Sequence, residues 1–279
     1  MKKFLFLVLV VVLFLTGCVE YGITVKVNKD GSGQIVEKML LSNQIMNMAK
    51  AMNPSEDGTT AFSKEKQIEK APQFGENVVF DSMKEISTDS KQGYEVIYKF
   101  NDVNKIMLSQ DSFSESVESM TEGMSMDEED DMEDEDDYEG EDSFFKFEYD
   151  KKGKLVINNG FRKAINEAKK EGLQDLIEEE EPVSDQELEQ SMAMAKMFVD
   201  GMKFSMKVEF DNIKDANVPY ENNQITLFEI DMSKVMKDEA TFKELMRHNG
   251  EEITKVFTNE KKVDGIVLQD KEEISVSFK

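Results

Sequence analysis

The sequence of 279 residues contains a single cysteine, Cys18, and a single histidine, His248. One thiol cannot form a disulfide within the chain. One imidazole excludes a multi-histidine zinc site, and any Ser-His-Asp catalytic set would have to use His248. His248 lies at the expected end of a helix, where a histidine interacts favourably with the helix dipole and needs no catalytic role.

Long apolar runs are equally scarce: Phe4–Leu15 is the one such run, and no second run approaches the length of a membrane-spanning helix. Its twelve residues are fewer than the roughly 20 that cross a bilayer as a helix. The run follows two lysines and precedes small residues, which is the pattern of an export signal. We therefore predict that residues 1–17 are a cleaved signal peptide.

The residues that close this run, Leu15-Thr16-Gly17-Cys18, resemble the lipobox of bacterial lipoproteins. The resemblance implies that Cys18 is acylated, with palmitate among the expected chains, and that it becomes the mature N-terminus. An ordinary secretory signal and an uncleaved anchor are the alternatives. The expected location is the bacterial cell envelope, with lipid holding the protein on the extracytoplasmic side of the outer or the cytoplasmic membrane.

Basic residues are few relative to acids, because 34 lysines and arginines oppose 59 aspartates and glutamates and give a net charge of −25. This charge repels phosphate backbones and excludes nucleic acid as a partner. Thirteen carboxylates lie between Asp127 and Asp142 with no base among them. Their repulsion predicts a disordered acidic loop over residues 110–143. Weak binding of calcium or of a cationic peptide is the alternative.

Alternation of apolar and polar residues predicts that much of the chain is β-strand. Ile23–Val27 and Ile35–Leu41 flank a turn and indicate a hairpin, and further strands are predicted over 77–86, 94–100, 145–149, 155–157, 203–211, 224–231, 266–268 and 274–278. Helical spacing and caps predict helices over 42–52, 62–70, 161–172, 184–200, 238–246 and 253–257. The predicted fold class is α+β, with antiparallel sheets and packed helices.

Two segments, Val78–Lys84 and Val208–Lys214, share the pattern V-x-F-D-x-apolar-K, and each is followed by a related tail, Asp102–Met107 or Asp231–Met236. We interpret them as two related hairpin–helix–strand–strand units, 18–109 and 144–279, joined by the acidic loop. Chance similarity between short strands is the alternative. A helical turn is predicted for the first tail.

The first predicted turn carries Asn28, Asp30 and Ser32 at the first, third and fifth positions of an EF-hand calcium loop. Position twelve is Met39, which cannot supply the bidentate carboxylate, so a tight turn without calcium is favoured. Asp81 and Asp211 recur in the two similar segments, at points where aspartate commonly starts a turn. No catalytic or metal-binding residue is assigned.

Methionine is abundant, with 19 residues. Met192 and Met194 have the close thioether spacing that copper(I) sites use, but on a helix they point about 200° apart and cannot chelate one ion. Flexible core filler is the usual role of methionine, and a methionine-lined groove for an apolar ligand is the functional alternative.

From Cys18 to Gly33 the sequence resembles the opening of LppM-type bacterial envelope lipoproteins, in which a strand and an Asp-Gly-Ser-Gly turn follow the lipid cysteine closely. The resemblance implies an α+β envelope domain and supplies no catalytic residue. We expect a non-enzymatic, lipid-anchored protein without a cofactor, which binds a protein, peptide or lipid-like ligand near the membrane. A lipid-anchored hydrolase that uses carboxylates and an acidic calcium- or copper-binding protein are the alternatives.

Overall fold

A computed structural model describes residues 19–43, 63–109, 143–170, 201–247 and 261–278, with the single positions 46, 188, 189, 192 and 256. Cys18, His248 and nearly all of the acidic loop lie outside these residues. The helices predicted over 42–52, 184–200 and 253–257 also lie mostly outside them; Ser42 ends a strand, and the other described positions in each are helical. Among the described helices, none is long and apolar enough to span a membrane.

The described elements are mostly strands. The strands are β1 (Val19–Val27), β2 (Gly33–Ser42), β3 (Val79–Ser87), β4 (Lys91–Phe100), β5 (Met107–Ser109), β6 (Ser143–Tyr149), β7 (Lys154–Asn159), β8 (Lys203–Phe210), β9 (Ile213–Ala216), β10 (Gln224–Asp231), β11 (Ile266–Leu268) and β12 (Glu273–Phe278). The α-helices are α1 (Lys64–Lys70), α2 (Gly160–Lys170), α3 (Met232–Val235) and α4 (Glu239–Arg247), and short 3₁₀ turns span Ala71–Phe74 and Val103–Lys105.

The strands form two sheets, one of seven strands in the order β11-β10-β8-β1-β2-β4-β3 and one of five in the order β5-β6-β7-β12-β9. Neighbouring strands are antiparallel, except that β1 and β8 run parallel. The predicted α+β class with antiparallel sheets is therefore confirmed. Both sheets take strands from before and after the acidic loop, so the predicted units are not two separate sheets, and their duplication stays a prediction.

Alternation along the strands gives the larger sheet an apolar face and a polar face. On β1, Tyr21, Ile23 and Val25 are buried, whereas Glu20 and Thr24 on the opposite side are partly exposed. We call these the inner face and the outer face. Successive side chains of a strand point to opposite faces, so this arrangement follows directly from the sequence pattern.

The inner face of the large sheet and the apolar face of the small sheet share one hydrophobic core. Ring contacts join them, because Phe278 of β12 lies 4.8 Å from Phe210 of β8 and 5.5 Å from Tyr149 of β6 between ring centroids. Elsewhere the inner face is covered by α1 and the turn that follows it, where the ring centroid of Phe74 lies 4.9 Å from that of Tyr98.

Several local predictions hold, and one short strand was not predicted. The cap predicted for α4 is present, because Oδ1 of Asp238 accepts a hydrogen bond from the Thr241 amide at 3.1 Å. The helical turn predicted in the tail Asp102–Met107 is present as a 3₁₀ turn over Val103–Lys105, and it leads into β5, which pairs with β6. The segment between β8 and β10 contains β9, a short strand with no alternating pattern of its own, which pairs with β12 at the edge of the small sheet.

Candidate functional site

A charged residue, Glu37 of β2, lies on the inner face of the large sheet and is fully buried. Its neighbours along this face, Ile35 and Met39, are also buried. An isolated carboxylate in such surroundings would cost many kcal/mol, so its charge must be compensated.

The compensation for Glu37 comes from two tyrosines and a lysine. Tyr21 donates its hydroxyl to Oε1 at 3.0 Å, the Tyr98 hydroxyl lies 3.2 Å from Oε2, and Nζ of Lys70 lies 2.5 Å from Oε1. Lys70 ends α1, and its Nζ lies 5.5 Å from the ring centroid of Phe74. The arrangement is a buried ion pair with hydrogen-bonding support, of the kind that is costly to break from one side.

Gln67 and Tyr94 complete this cluster. The Tyr98 hydroxyl lies 2.8 Å from the side-chain oxygen of Gln67, which is buried on α1. Burial, and secondarily the charge of Glu37, raises the pKa of Tyr98 and of Tyr94 well above the ordinary value. Both therefore stay protonated and can donate. Because the cluster is enclosed, it holds α1 against the sheet and is not open to a substrate.

The outer face of the large sheet carries an open hollow of about 260 Å³. Its floor is formed by Gly22, Thr24 and Ser205, where β1 and β8 run side by side. A Cβ atom at Gly22 would lie 2.9 Å from Oγ of Ser205, so the glycine keeps the floor low. Around it stand three lysines and three glutamates: Lys26, Lys38, Lys207, Glu20, Glu95 and Glu209. We call this feature the outer-face hollow.

The charges around the outer-face hollow are paired across strands. Nζ of Lys38 lies 2.9 Å from Glu20, and Nζ of Lys26 lies 3.4 Å from Glu209. Burial alone would raise the pKa of Glu20, but Lys38 and Lys91 outweigh it and hold that pKa below its ordinary value. The hollow therefore offers hydroxyls and balanced charges of both signs, and the lowered pKa of Glu20 keeps that carboxylate ionised.

Four other carboxyl groups of the described residues have pKa values lowered as that of Glu20 is. A hydrolase that uses a carboxylic acid to protonate a leaving group needs that group's pKa raised toward neutrality. In the part of the chain that the structure describes, each shifted carboxyl pKa is lowered, those of Glu20, Asp30, Asp150, Glu229 and Asp238. This pattern does not favour the hydrolase alternative.

The turn with the calcium-like spacing is a structural turn. Oδ1 of Asp30 accepts hydrogen bonds from the Ser32 amide at 3.0 Å and from its hydroxyl at 2.6 Å. Tyr149 of β6 donates its hydroxyl to the carbonyl of Lys29 at 2.6 Å, which fixes the turn against the small sheet. No group of three or more histidine, cysteine or acidic residues within the described ranges could hold a metal ion.

The other residues singled out in the sequence are dispersed. Asp81 lies on the edge strand β3 and contacts Lys99 at 2.6 Å, while Asp211 is exposed after β8. Among the described residues, six methionines are buried in the core, Met39, Met46, Met192, Met202, Met206 and Met232. For these residues the favoured core-filler interpretation is correct, and the hollow that the described residues form is polar, unlike the methionine-lined groove considered as the alternative.

Comparison with known proteins gives one weak structural similarity. No family model matches the chain, and no curated protein matches it. The NMR structure of the folded domain of Mycobacterium tuberculosis LppM aligns with a TM-score of 0.29 and 8% sequence identity, over 76% of this chain and 83% of that domain. At this TM-score and identity the alignment gives no information on the family, a ligand or an anchor.

Proposed function

We propose that this protein is a bacterial envelope lipoprotein, anchored by lipid on Cys18, whose body binds a partner without catalysis. The observation that carries the proposal is the position of β1. Val19 is 1% exposed and is already the first residue of a core strand. Val19 is also the first residue that the structure describes, so a lipid on Cys18 would be attached directly at the start of the sheet.

The outer-face hollow is the proposed binding surface. Its floor offers the hydroxyls of Thr24 and Ser205, and its sides offer ammonium and carboxylate groups in equal number. An extended peptide or protein segment carries amide groups and charges of both signs that can pair with such a surface. An acyl chain would bury little apolar surface there, so the polar lining favours a peptide or protein partner.

The anchor is tested by the substitution Cys18→Ser. It should abolish palmitate labelling and leave an unprocessed precursor, because the proposed acyl acceptor is gone. Metabolic labelling followed by fractionation measures both. Label that persists in the variant would contradict the assignment.

The binding surface is tested by photocross-linking in intact cells. A photoreactive residue at Thr24 in the hollow should capture a specific envelope protein, whereas one at Asp215 on β9 of the other sheet should not. Adducts at both positions or at neither would contradict the proposed surface. Turnover of a glycan or peptide by the purified body, lost on one Glu→Gln change that preserves stability, would contradict non-enzymatic function.

A further inference from the structure

The strand that follows the proposed lipid residue is paired with neighbouring strands from its first residues. Val19 is paired with Leu41 of β2 and Glu20 with Lys203 of β8, so β1 is held on both sides from its beginning. The Cα atom of Cys18 lies about 3.8 Å from that of Val19 by covalent geometry. A lipid on Cys18 would therefore bring the beginning of β1 to the membrane surface, with no linker between them.

Other strand ends lie beside the beginning of β1. The register places the end of β2 opposite the start of β4, and the end of β10 opposite the start of β8. We call this end of the sheet the proximal rim, and it consists of Asn43, Thr88–Lys91, Gly201–Lys203 and Asp231–Lys234.

The proximal rim is joined by hydrogen bonds across its segments. The Asn43 amide donates to the Ser90 carbonyl at 2.9 Å, and the Gly201 amide donates to the Ser233 hydroxyl at 3.0 Å. Nζ of Lys91 lies 3.5 Å from the Gly201 carbonyl and 3.5 Å from Glu20. These contacts connect the turn before β4 with the segment before β8, so the rim can meet a surface as one unit.

Charge also suits this end of the sheet for the membrane. The rim carries Lys91, Lys203 and Lys234 with Asp89 and Asp231, and Glu20 and Glu229 pair with these lysines, so the charges at this end nearly balance, while the whole chain carries −25. An acidic body is repelled by the negative surface potential of anionic lipids, and that repulsion falls off within a Debye length of about 8 Å at physiological salt. A rim whose charges nearly balance is repelled much less within that distance than the acidic body as a whole.

We propose that the proximal rim of the large sheet rests directly on the phospholipid headgroups, so that β1 stands upright on the bilayer. This inference depends on the proposed lipid on Cys18. It also fixes the height of the hollow, because the five residue steps from Val19 to Thr24 place its floor roughly 17 Å above the start of the strand at about 3.3 Å per residue.

The test uses the mature lipidated protein in vesicles of phosphatidylethanolamine and phosphatidylglycerol. The lipid consumes the natural thiol, so one introduced cysteine is the only free thiol. Ser90→Cys marks the proximal rim, and Glu221→Cys marks the far end, where the Asn223 carbonyl meets the Phe210 amide opposite the end of β1. The two ends of a nine-residue strand are about 26 Å apart, since each of eight steps advances about 3.3 Å.

A nitroxide on each cysteine reports the accessibility to a water-soluble nickel complex. We expect the Ser90→Cys label to be protected several-fold relative to the Glu221→Cys label. Inserting ten Gly/Ser residues between Cys18 and Val19 should remove that difference, because such a linker spans about 17 Å on average. Equal accessibility at both positions, or protection of the Glu221→Cys label alone, would overturn the proposal. Vesicle flotation separates the proposed orientation from the proposed anchor, because protein that does not float with the vesicles lacks the anchor itself.

Discussion

The buried pair of Glu37 and Lys70 gives the sharpest test of how this fold is held together. The Glu37 side chain is 0% exposed and that of Lys70 is 12% exposed, so solvent screens their charges little. Lys70→Met keeps the length of the side chain and removes the charge. The carboxylate would then be buried with its hydroxyl partners but without its cation.

The expected cost of Lys70→Met is about 3–5 kcal/mol in the free energy of unfolding, the range for breaking a buried pair from one side. That is a large share of the roughly 5–15 kcal/mol that stabilises a typical domain. The double variant Glu37→Gln with Lys70→Met should recover most of the loss, because a neutral amide can still accept hydrogen bonds from the tyrosines and no charge stays buried.

Urea unfolding of residues 19–279 followed by circular dichroism measures these differences, since the chain has no tryptophan. Lys99→Met is the matched control. Its Nζ contacts Asp81 at 2.6 Å, but the two side chains are 51% and 32% exposed, so its loss should cost less than about 1 kcal/mol. If Lys70→Met costs no more than this control, or if the double variant is as unstable as the single one, the account of the cluster is wrong.

Three further predictions follow from the same structure. Replacing residues 110–142 with a short turn should preserve the cooperative thermal transition, because Ser109 and Ser143 are paired on neighbouring strands. The free energy of loop closure changes by only about 0.6 kcal/mol per doubling of length, and a broadened transition would contradict this prediction. Glu229→Gln should flatten the acid limb of a plot of melting temperature against pH. Burial alone would raise the pKa of Glu229, but Lys207, Lys203 and Lys234 outweigh it and lower that pKa. The stabilisation that the ionised Glu229 contributes is therefore complete above its ordinary pKa of 4.5 and is lost as the pH falls further. An unchanged acid limb would refute this reasoning. Gly93→Ala should cost about 3 kcal/mol as an overpacking change in urea unfolding, because its Cβ would meet the Met39 carbonyl oxygen at 1.9 Å. Gly201→Ala should cost less, because its Cβ meets nothing within 4 Å and only the strain of a φ of +85°, about 1–2 kcal/mol, opposes it.

The strands could be predicted because alternation has a direct physical cause. The inward positions of β1 and β8, and those of β4 from Tyr94 onward, carry apolar side chains, and the structure buries them as the pattern requires. The edge strand β3 was found from its composition, although none of its residues is buried. Covered strands show the pattern most clearly because both their neighbours and the core select for it.

Glu37 is the residue that sequence reasoning should have singled out. It occupies an inward position between Ile35 and Met39, and a charge at such a position requires a buried partner. The identity of that partner could not be predicted, because Lys70 reaches it from a helix 33 residues away in sequence. The parallel pairing of β1 with β8 could not be predicted either, because the alternating pattern of a strand does not specify which strand lies beside it. The outer-face hollow depends on that pairing and was therefore invisible in the sequence.

The position of β1 connects the proposed anchor with the proposed binding surface. It is the central strand of the seven, hydrogen-bonded to β2 on one side and to β8 on the other. Its outward residues Gly22 and Thr24 form the floor of the hollow, while its inward Tyr21 donates to Glu37. A force between a bound partner and the membrane would therefore act along a strand that is paired on both sides. Such a load shears many hydrogen bonds at once, whereas a load at an edge strand would open them one at a time. Anchoring through the central strand thus suits a protein that holds a partner close to the bilayer.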